Sequence, residues 1–307
     1  MDRKLLAALR LDAWAKTMSK ERRALARAVA DARAADLELV HEGVGDLDVP
    51  VYAHRATGFL LHLIPGGRFT MGMTDAELAK LRARYDFFNE ADQVDAMFAS
   101  EVIGPPTVID LPAFLFGARP LGGKALEWLR EPPATRAPRP DPGGKRGWDY
   151  AKVAKLPADQ YLAYLDRSGS GEVENEDVAP IEAALHALGL RLPSDAEWER
   201  VARSGDDRAL TLGDEIPDSP DVPANAFGIS GMGATCEPCA DGWVDTLAGI
   251  PTDGSARPPA EQRVVRGGAA LVYPWQGCGE WTLLACAARK SLEGEDGLLS
   301  IRAAMSL

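Results

Sequence analysis

The chain has 307 residues, of which 46% are hydrophobic and 26% are charged, and its formal net charge is -12. This composition is typical of a globular protein with one large or two ordinary domains. Because an acidic surface repels phosphate groups, the charge argues against nucleic acid and against an anionic membrane as partners. The sequence shows no signal-peptide pattern and no apolar run near the roughly 20 residues that span a bilayer. We therefore expect a cytoplasmic protein.

The predicted elements begin with amphipathic helices. Apolar residues at helical spacing over residues 2–36 predict two helices that are separated near Ser19. We interpret residues 1–50 as an N-terminal helical extension that covers a main domain over residues 51–307, with a docking arm as the alternative. The main domain begins in residues 56–73 with "FLLHLI" and "RFTMGM", two strand-like runs around a "PGG" turn.

Helices and strands follow one another irregularly through the rest of the chain. Residues 106–120 predict two short strands around a proline. Helices are predicted at "DAELAKLRARYDFFNEADQVDAMF", "GKALEWL", "LPADQYLAYL" and "VAPIEAALHALGL". From about residue 204 turn residues dominate, and strands are predicted only at "QRVVRGG" and "LSIRAAMSL". This distribution predicts an α+β fold that is irregular and loop-rich.

Residues 166–177, between two of the predicted helices, follow the spacing of a calcium-binding loop. The oxygen-bearing candidate ligands are Asp166, Ser168, Ser170, Glu172 and Asp177. Serine at the third and fifth positions, and aspartate in place of glutamate at the twelfth, depart from the usual pattern. The alternative is a helix–helix loop in which Asp177 caps the second helix.

All four cysteines, Cys236, Cys239, Cys278 and Cys286, lie in the last quarter of the chain. The first two form a CxxC pair, a spacing that serves redox chemistry or half of a tetrahedral zinc site. The other two could complete a Cys₄ zinc site, although seven residues between the cysteines of a second pair is not a usual zinc spacing. Buried thiols without a ligand, a reversible disulfide and a zinc site remain the alternatives.

The segment "RLPSDAEWERVAR", residues 191–203, predicts a helix that begins after Ser194, which can serve as its N-cap. Arg191, Arg200 and Arg266 are cationic residues in apolar surroundings. Charged groups are rarely buried unless they are paired, so we expect these arginines to pair with nearby carboxylates. We interpret them as scaffold residues.

Five segments, in order, resemble motifs of the formylglycine-generating enzyme family, also called the sulfatase-modifying-factor family. They are "IPGGRFTMG" (64–72), "RLPSDAEWERVAR" (191–203), "NAFGISGMGATCEPCADGW" (225–243), "RVVRGGAA" (263–270) and "GLLSIRAAMSL" (297–307). The resemblance covers roughly residues 55–307. It implies a C-type-lectin-like fold with little regular structure.

The sequence departs from the family at the two metal sites that the resemblance implies. Active members carry two cysteines shortly after "RGGS" that bind Cu(I), which activates O₂ to oxidise a substrate cysteine to formylglycine. Here only Cys278 lies near that place, with Cys286 as the candidate second thiol and Cys236 or Cys239 as the alternatives. The family's calcium motif keeps Glu237 as a candidate ligand, but Gly231 stands where the family has aspartate.

The loop after "RGG" is the candidate binding surface. The family places this loop, residues 270–300, at its binding surface, and loops that hold aromatic side chains often contact ligands. The candidate ligand-binding residues are Trp275, Gln276, Cys278, Glu280, Trp281 and Arg289. We interpret the chain as a non-catalytic member that binds a protein, a peptide or a small molecule there, with no cofactor beyond the calcium candidates. The alternatives are a copper- and O₂-dependent oxidoreductase of a thiol substrate that uses Cys278 and Cys286, and a zinc-stabilised interaction module.

Overall fold

The computed structural model describes residues 1–85, 103–131, 172–206, 208–213, 224–268, 280–292 and 299–307. Helices and sheets are both present within these ranges, and long irregular segments join them. The predicted α+β, loop-rich fold class is therefore confirmed. The predicted helix "LPADQYLAYL" and most of the calcium-like loop lie outside the described residues.

Three helices begin the chain, α1 (Arg3–Ala8), α2 (Leu11–Lys16) and α3 (Ser19–Ala32). Two helices were predicted here, and the first of them is divided because Arg10 has an extended backbone and forms a bridge with Gly66. The helices pack on the rest of the protein through Trp14, which is fully buried. Its indole Nε1 donates a hydrogen bond of 2.8 Å to the carbonyl of Leu47.

The main sheet is antiparallel, with the strand order β1-β2-β3-β6-β12. Its strands are β1 (Leu37–Val44), β2 (Val49–His54), β3 (Leu60–Ile64), β6 (Phe114–Gly117) and β12 (Ala304–Ser306). The first strand lies within residues 1–50, for which only helices were predicted. Through β2 it is joined to β3, where Val51 pairs with His62. The domain boundary at residue 50 stays a prediction.

The described ranges contain three smaller sheets besides the main one. They are formed by β4 (Gly67–Met71) with β5 (Thr107–Leu111), by β7 (Glu172–Val173) with β11 (Leu299–Ser300), and by β8 (Glu237–Gly242), β9 (Arg263–Arg266) and β10 (Lys290–Ser291). Strand β8 was not predicted, because its sequence "EPCADG" has low strand propensity. Pairing with β9, through an irregular register after Pro238, imposes the extended conformation.

The remaining helices are α4 (Asp75–Tyr85), α5 (Gly123–Arg130), α6 (Asn175–Ala187), α7 (Asp195–Ala202) and a short 3₁₀ helix (Glu280–Leu284). All eight residues of α7 are buried, including several charged ones. It begins with the predicted cap, because the amide of Glu197 donates to Oγ of Ser194 at 3.1 Å. A charged helix that is buried on every side needs partners within the protein. Helix α7 has such partners in two other motifs of the family resemblance, since Glu199 contacts Arg266 and Trp198 contacts Glu237.

Candidate functional site

A buried ionic network surrounds α7. Arg266 contacts two carboxylates of this helix, Asp195 at 2.5 Å and Glu199 at 3.0 Å. Arg203, at the end of the helix, contacts Glu199 at 2.9 Å and Glu77 of α4 at 2.5 Å. Burial opposes the charge of Arg266, yet the two carboxylates outweigh this effect and raise its pKa above the ordinary value. Opposite charges thus alternate through the protein interior and compensate one another.

Arg191 and Arg266 pair with carboxylates, as predicted. Arg191 donates to both oxygens of Glu197, each at 2.6 Å, and Arg266 binds α7 as described. The third arginine of that prediction, Arg200, is buried with its guanidinium 5.7 Å from the ring centroid of Phe69. The predicted scaffold role of Arg191 and Arg266 agrees with this geometry, since both join α7 to neighbouring segments.

The thiols of Cys239 and Cys286 are free and fully buried. Burial raises the pKa of the Cys286 thiol to about 12, although nearby Arg203 lowers it in part. Burial also raises the pKa of Cys239 well above its ordinary value, and Asp195 adds to that effect. Because the thiolate is the nucleophilic form of cysteine, these raised pKa values make both side chains poor nucleophiles at neutral pH.

The CxxC pair lies on extended backbone. Cys236 forms a bridge with Leu299 directly before β8 begins, and Cys239 is within that strand. A strand rises about 3.3 Å per residue, so residues three apart have Cα atoms about 10 Å from each other. A disulfide requires Cα atoms about 4.4–6.8 Å apart. An ideal strand at this place therefore fits neither a disulfide between these two cysteines nor the tight turn of a zinc-binding CxxC.

The end of the calcium-like loop is held by interactions within the protein. Oδ2 of Asp177 accepts a hydrogen bond from the amide of Glu174 at 3.4 Å at the start of α6, and it pairs with Arg130 of α5. This is the capping arrangement that was the alternative to a calcium ligand. Asp166, Ser168 and Ser170 lie outside the described residues, and of Glu172 only the backbone, in β7, is described.

Glu237 is fully buried, and donors surround its carboxylate. Arg302 donates to both oxygens, from Nη2 to Oε1 at 2.6 Å and from Nε to Oε2 at 2.8 Å. The indole Nε1 of Trp198 donates to Oε2 at 2.9 Å. The candidate calcium ligand therefore serves as the partner of a buried arginine and a buried tryptophan.

The candidate ligand-binding loop lies largely outside the described residues, which exclude Trp275, Gln276 and Cys278. Glu280 and Trp281 begin the 3₁₀ helix, of which the backbone there is described. Arg289 is described in full, and it lies inside the protein rather than on its surface. Its guanidinium is 4.8 Å from the ring centroid of Trp243, and its Nε is 3.1 Å from Oδ2 of Asp195. This position suits a scaffold residue better than a ligand contact.

A second buried aspartate, Asp241, was missed from the sequence. Its carboxylate accepts hydrogen bonds from the amide of Asp195 at 2.7 Å and from the amide of Arg257 at 2.8 Å. Burial, followed by repulsion from Asp195, raises the pKa of Asp241 to about 7. The only signal in the sequence was its position within "CADGW", which the family resemblance did not mark as functional.

Within the described ranges, no three histidine, cysteine, aspartate or glutamate side chains group in a way that could hold a metal ion. No helix in the same ranges combines the length and apolar content needed to cross a bilayer.

Comparison with known proteins gives similarity in structure but not in sequence. No protein-family model matches the chain, and no curated protein matches it either. The chain is similar to the structure of PvdO from Pseudomonas aeruginosa, at 20% identity and a TM-score of 0.49, over 82% of this chain and 95% of that one. It is also similar to Treponema denticola variable protein 1, at 16% identity and a TM-score of 0.45, over 81% of this chain and 95% of that one. At this level of similarity, neither structure assigns an activity or a ligand to the chain.

Proposed function

We propose that this chain is a non-catalytic binding protein on a scaffold like that of the formylglycine-generating enzyme family. It holds a protein, a peptide or a small molecule on the loop surface of residues 270–300. The scaffold part is supported by the contacts between the motifs that carry the resemblance. Asp195 and Glu199 of the second motif bind Arg266 of the fourth, and Glu237 of the third binds Arg302 of the fifth.

The observation that carries the non-catalytic part is the environment of Cys286. A Cu(I) site of the family's kind needs two thiolates, and Cys286 is the candidate partner of Cys278. Its thiol is fully buried beside the Arg203–Glu199 ion pair, and its pKa of about 12 keeps it protonated at neutral pH. Ionisation would place a second anion beside Glu199 in a medium of low polarity. Because Cys286 is 0% exposed, a copper ion bound to it would lie away from solvent and from a substrate thiol, which supports a non-catalytic chain.

The first experiment tests copper. The reduced full-length protein is exposed to one equivalent of Cu(I) and desalted, and its copper content is measured by plasma mass spectrometry. Oxygen uptake is then followed with a cysteine-containing peptide as substrate. We expect no copper beyond that retained by Cys278→Ser, and no oxygen uptake. One copper per chain that is lost in both Cys278→Ser and Cys286→Ala but kept in Cys239→Ala, together with oxygen uptake, would establish the oxidoreductase instead.

The second experiment tests the binding surface. Peptides selected from a displayed library against the full-length chain are measured with the variants Trp275→Ala and Trp281→Ala. Aromatic side chains contribute much of the free energy in protein–peptide interfaces, so we expect each variant to lose at least about tenfold in affinity. Val108→Ala, on an exposed position of β5, is the matched control and should bind normally. Binders that are insensitive to both tryptophan variants would contradict the placement of the site.

A further inference from the structure

Oxygen atoms from three separate parts of the chain meet at the guanidinium of Arg302. Two of them belong to the carboxylate of Glu237. Nη1 donates to the carbonyl of Gly117 at the end of β6 at 3.0 Å, and Nη2 donates to the carbonyl of Ser230 at 3.3 Å. The guanidinium thus lies in a cage of one carboxylate and two backbone carbonyls. A fifth contact is apolar, since the ring centroid of Phe116 lies 5.4 Å from the guanidinium carbon.

The ion pair at the centre of this cage is fully removed from water, since the side chains of Glu237 and Arg302 are both 0% exposed. A buried carboxylate without a positive partner is strongly unfavourable. The partner must be either a charge of the protein or a bound cation. The planar fork of arginine matches both carboxylate oxygens at once, and it has further N–H groups for the carbonyls.

Carboxylate and backbone carbonyl oxygens, which accept the hydrogen bonds of Arg302 here, are also the ligands that a calcium ion takes in proteins. The family resemblance places a calcium ion at this stretch, with Glu237 among its ligands. Ser230, whose carbonyl forms part of the cage, directly precedes Gly231, where the family has aspartate. The residues present do not fit calcium, because Arg302 already fills the cage and Trp198 uses one more site on the carboxylate.

We propose that the Glu237 carboxylate holds no calcium ion, because the guanidinium of Arg302 is its cationic partner. Arg302 neutralises Glu237 and ties the end of β6, the segment around Ser230 and the start of β8 together. The scaffold at Glu237 therefore needs no divalent cation. This inference concerns the scaffold and does not depend on the proposed binding function.

The direct test compares thermal unfolding of the full-length protein in EDTA and in excess CaCl₂, with Glu237→Gln as the second variant. We expect the wild-type midpoint to be the same in both solutions. A lower midpoint in EDTA that is abolished by Glu237→Gln would overturn the proposal, because it would locate a calcium ion at this carboxylate. A difference that persists in Glu237→Gln arises at another site and agrees with a metal-free Glu237.

Removing the charge of Arg302 tests whether this residue compensates the buried charge of Glu237. Arg302→Met leaves the Glu237 carboxylate without its partner, so we expect the midpoint to fall by roughly 5–10 °C. Adding Glu237→Gln to this variant removes the buried anion and should restore at least half of the loss. If Arg302→Met does not fold, the double variant still tests the charge compensation, because we expect the double variant to fold. Arg191→Met, whose pair with Glu197 is partly exposed, is the matched control with a smaller loss. A double variant that is no more stable than Arg302→Met would refute the compensation.

Discussion

Replacing Asp241 with asparagine should change how the stability of the protein depends on pH. The pKa of Asp241 is raised from 3.8 to about 7, first by burial and then by the nearby Asp195. The native protein therefore binds a proton at Asp241 more tightly than the unfolded chain does. Such a group stabilises the native state fully below pH 4, and this contribution is lost as the pH rises from about 4 to 7.

The size of the effect follows from the two pKa values. Each pH unit within that window costs about 1.4 kcal/mol, so the whole window removes at most about 4 kcal/mol from the free energy of unfolding. The variant Asp241→Asn cannot lose a proton at this place. It also weakens one of the two backbone hydrogen bonds that Asp241 accepts, so it should be less stable than the wild type at low pH. Its stability relative to the wild type should then rise by about 4 kcal/mol between pH 4 and 7.

Urea unfolding followed by tryptophan fluorescence, at half-unit steps between pH 4 and 8, measures this difference. Titrating groups that do not interact with Asp241 contribute equally to both proteins and cancel. Asp12→Asn is the control, because the side chain of Asp12 is 77% exposed and the difference should be flat. A wild-type-minus-variant difference that stays constant or grows with pH would show that Asp241 is ionised throughout, and the reasoning would be wrong.

Further predictions concern the helices, the ionic network and the thiols. Trp14→Ala should lower the free energy of unfolding by about 3–5 kcal/mol, measured by urea, because it removes a fully buried indole together with its hydrogen bond. Arg203→Met should cost about 3–5 kcal/mol because it leaves the buried Glu77 without its arginine and removes one of the two arginines that bind Glu199. Arg27→Met, which removes an exposed pair, should cost at most about 1 kcal/mol, and equal losses would contradict the network. Cys239 and Cys286 should react with a thiol-specific reagent at pH 8 only after unfolding in urea, and rapid labelling of either residue in the native protein, located by peptide mass mapping, would contradict their burial.

The sequence allowed local structure to be predicted where the signal is itself local. The start of α7 followed from Ser194, whose side chain caps the helix within three residues. Strands β3 and β4 followed from an apolar run and an alternating run around a turn. The pairing of Arg191 with Glu197 joins residues that are six positions apart, and it lies within the predicted helix motif.

Features that depend on distant segments could not be predicted in this way. Glu77 and Arg203 are 126 positions apart, so no spacing rule brings them together. The extended conformation of β8 is imposed by its pairing with β9. The CxxC pair lies on this extended backbone, which its spacing in the sequence did not indicate. The predicted strand "LSIRAAMSL" is divided into β11 and β12, with Arg302 between them, because this side chain turns inward to Glu237. Periodicity in the sequence shows which face of one segment is apolar. The ion pair and the strand conformations described above depend instead on a distant segment that packs against it.

The hairpin formed by β1 and β2 has a practical consequence for work with shortened versions of this protein. A chain that starts at residue 51 would lose β1 and the first two residues of β2. The rest of β2 would stay paired with β3, but its other edge, which now bonds to β1, would face water. This new edge strand includes the apolar residues Val51 and Tyr52. An apolar strand with an open edge is a template for pairing with other copies. We therefore expect a protein truncated at the predicted boundary to aggregate. Its insolubility would reveal nothing about the ligand.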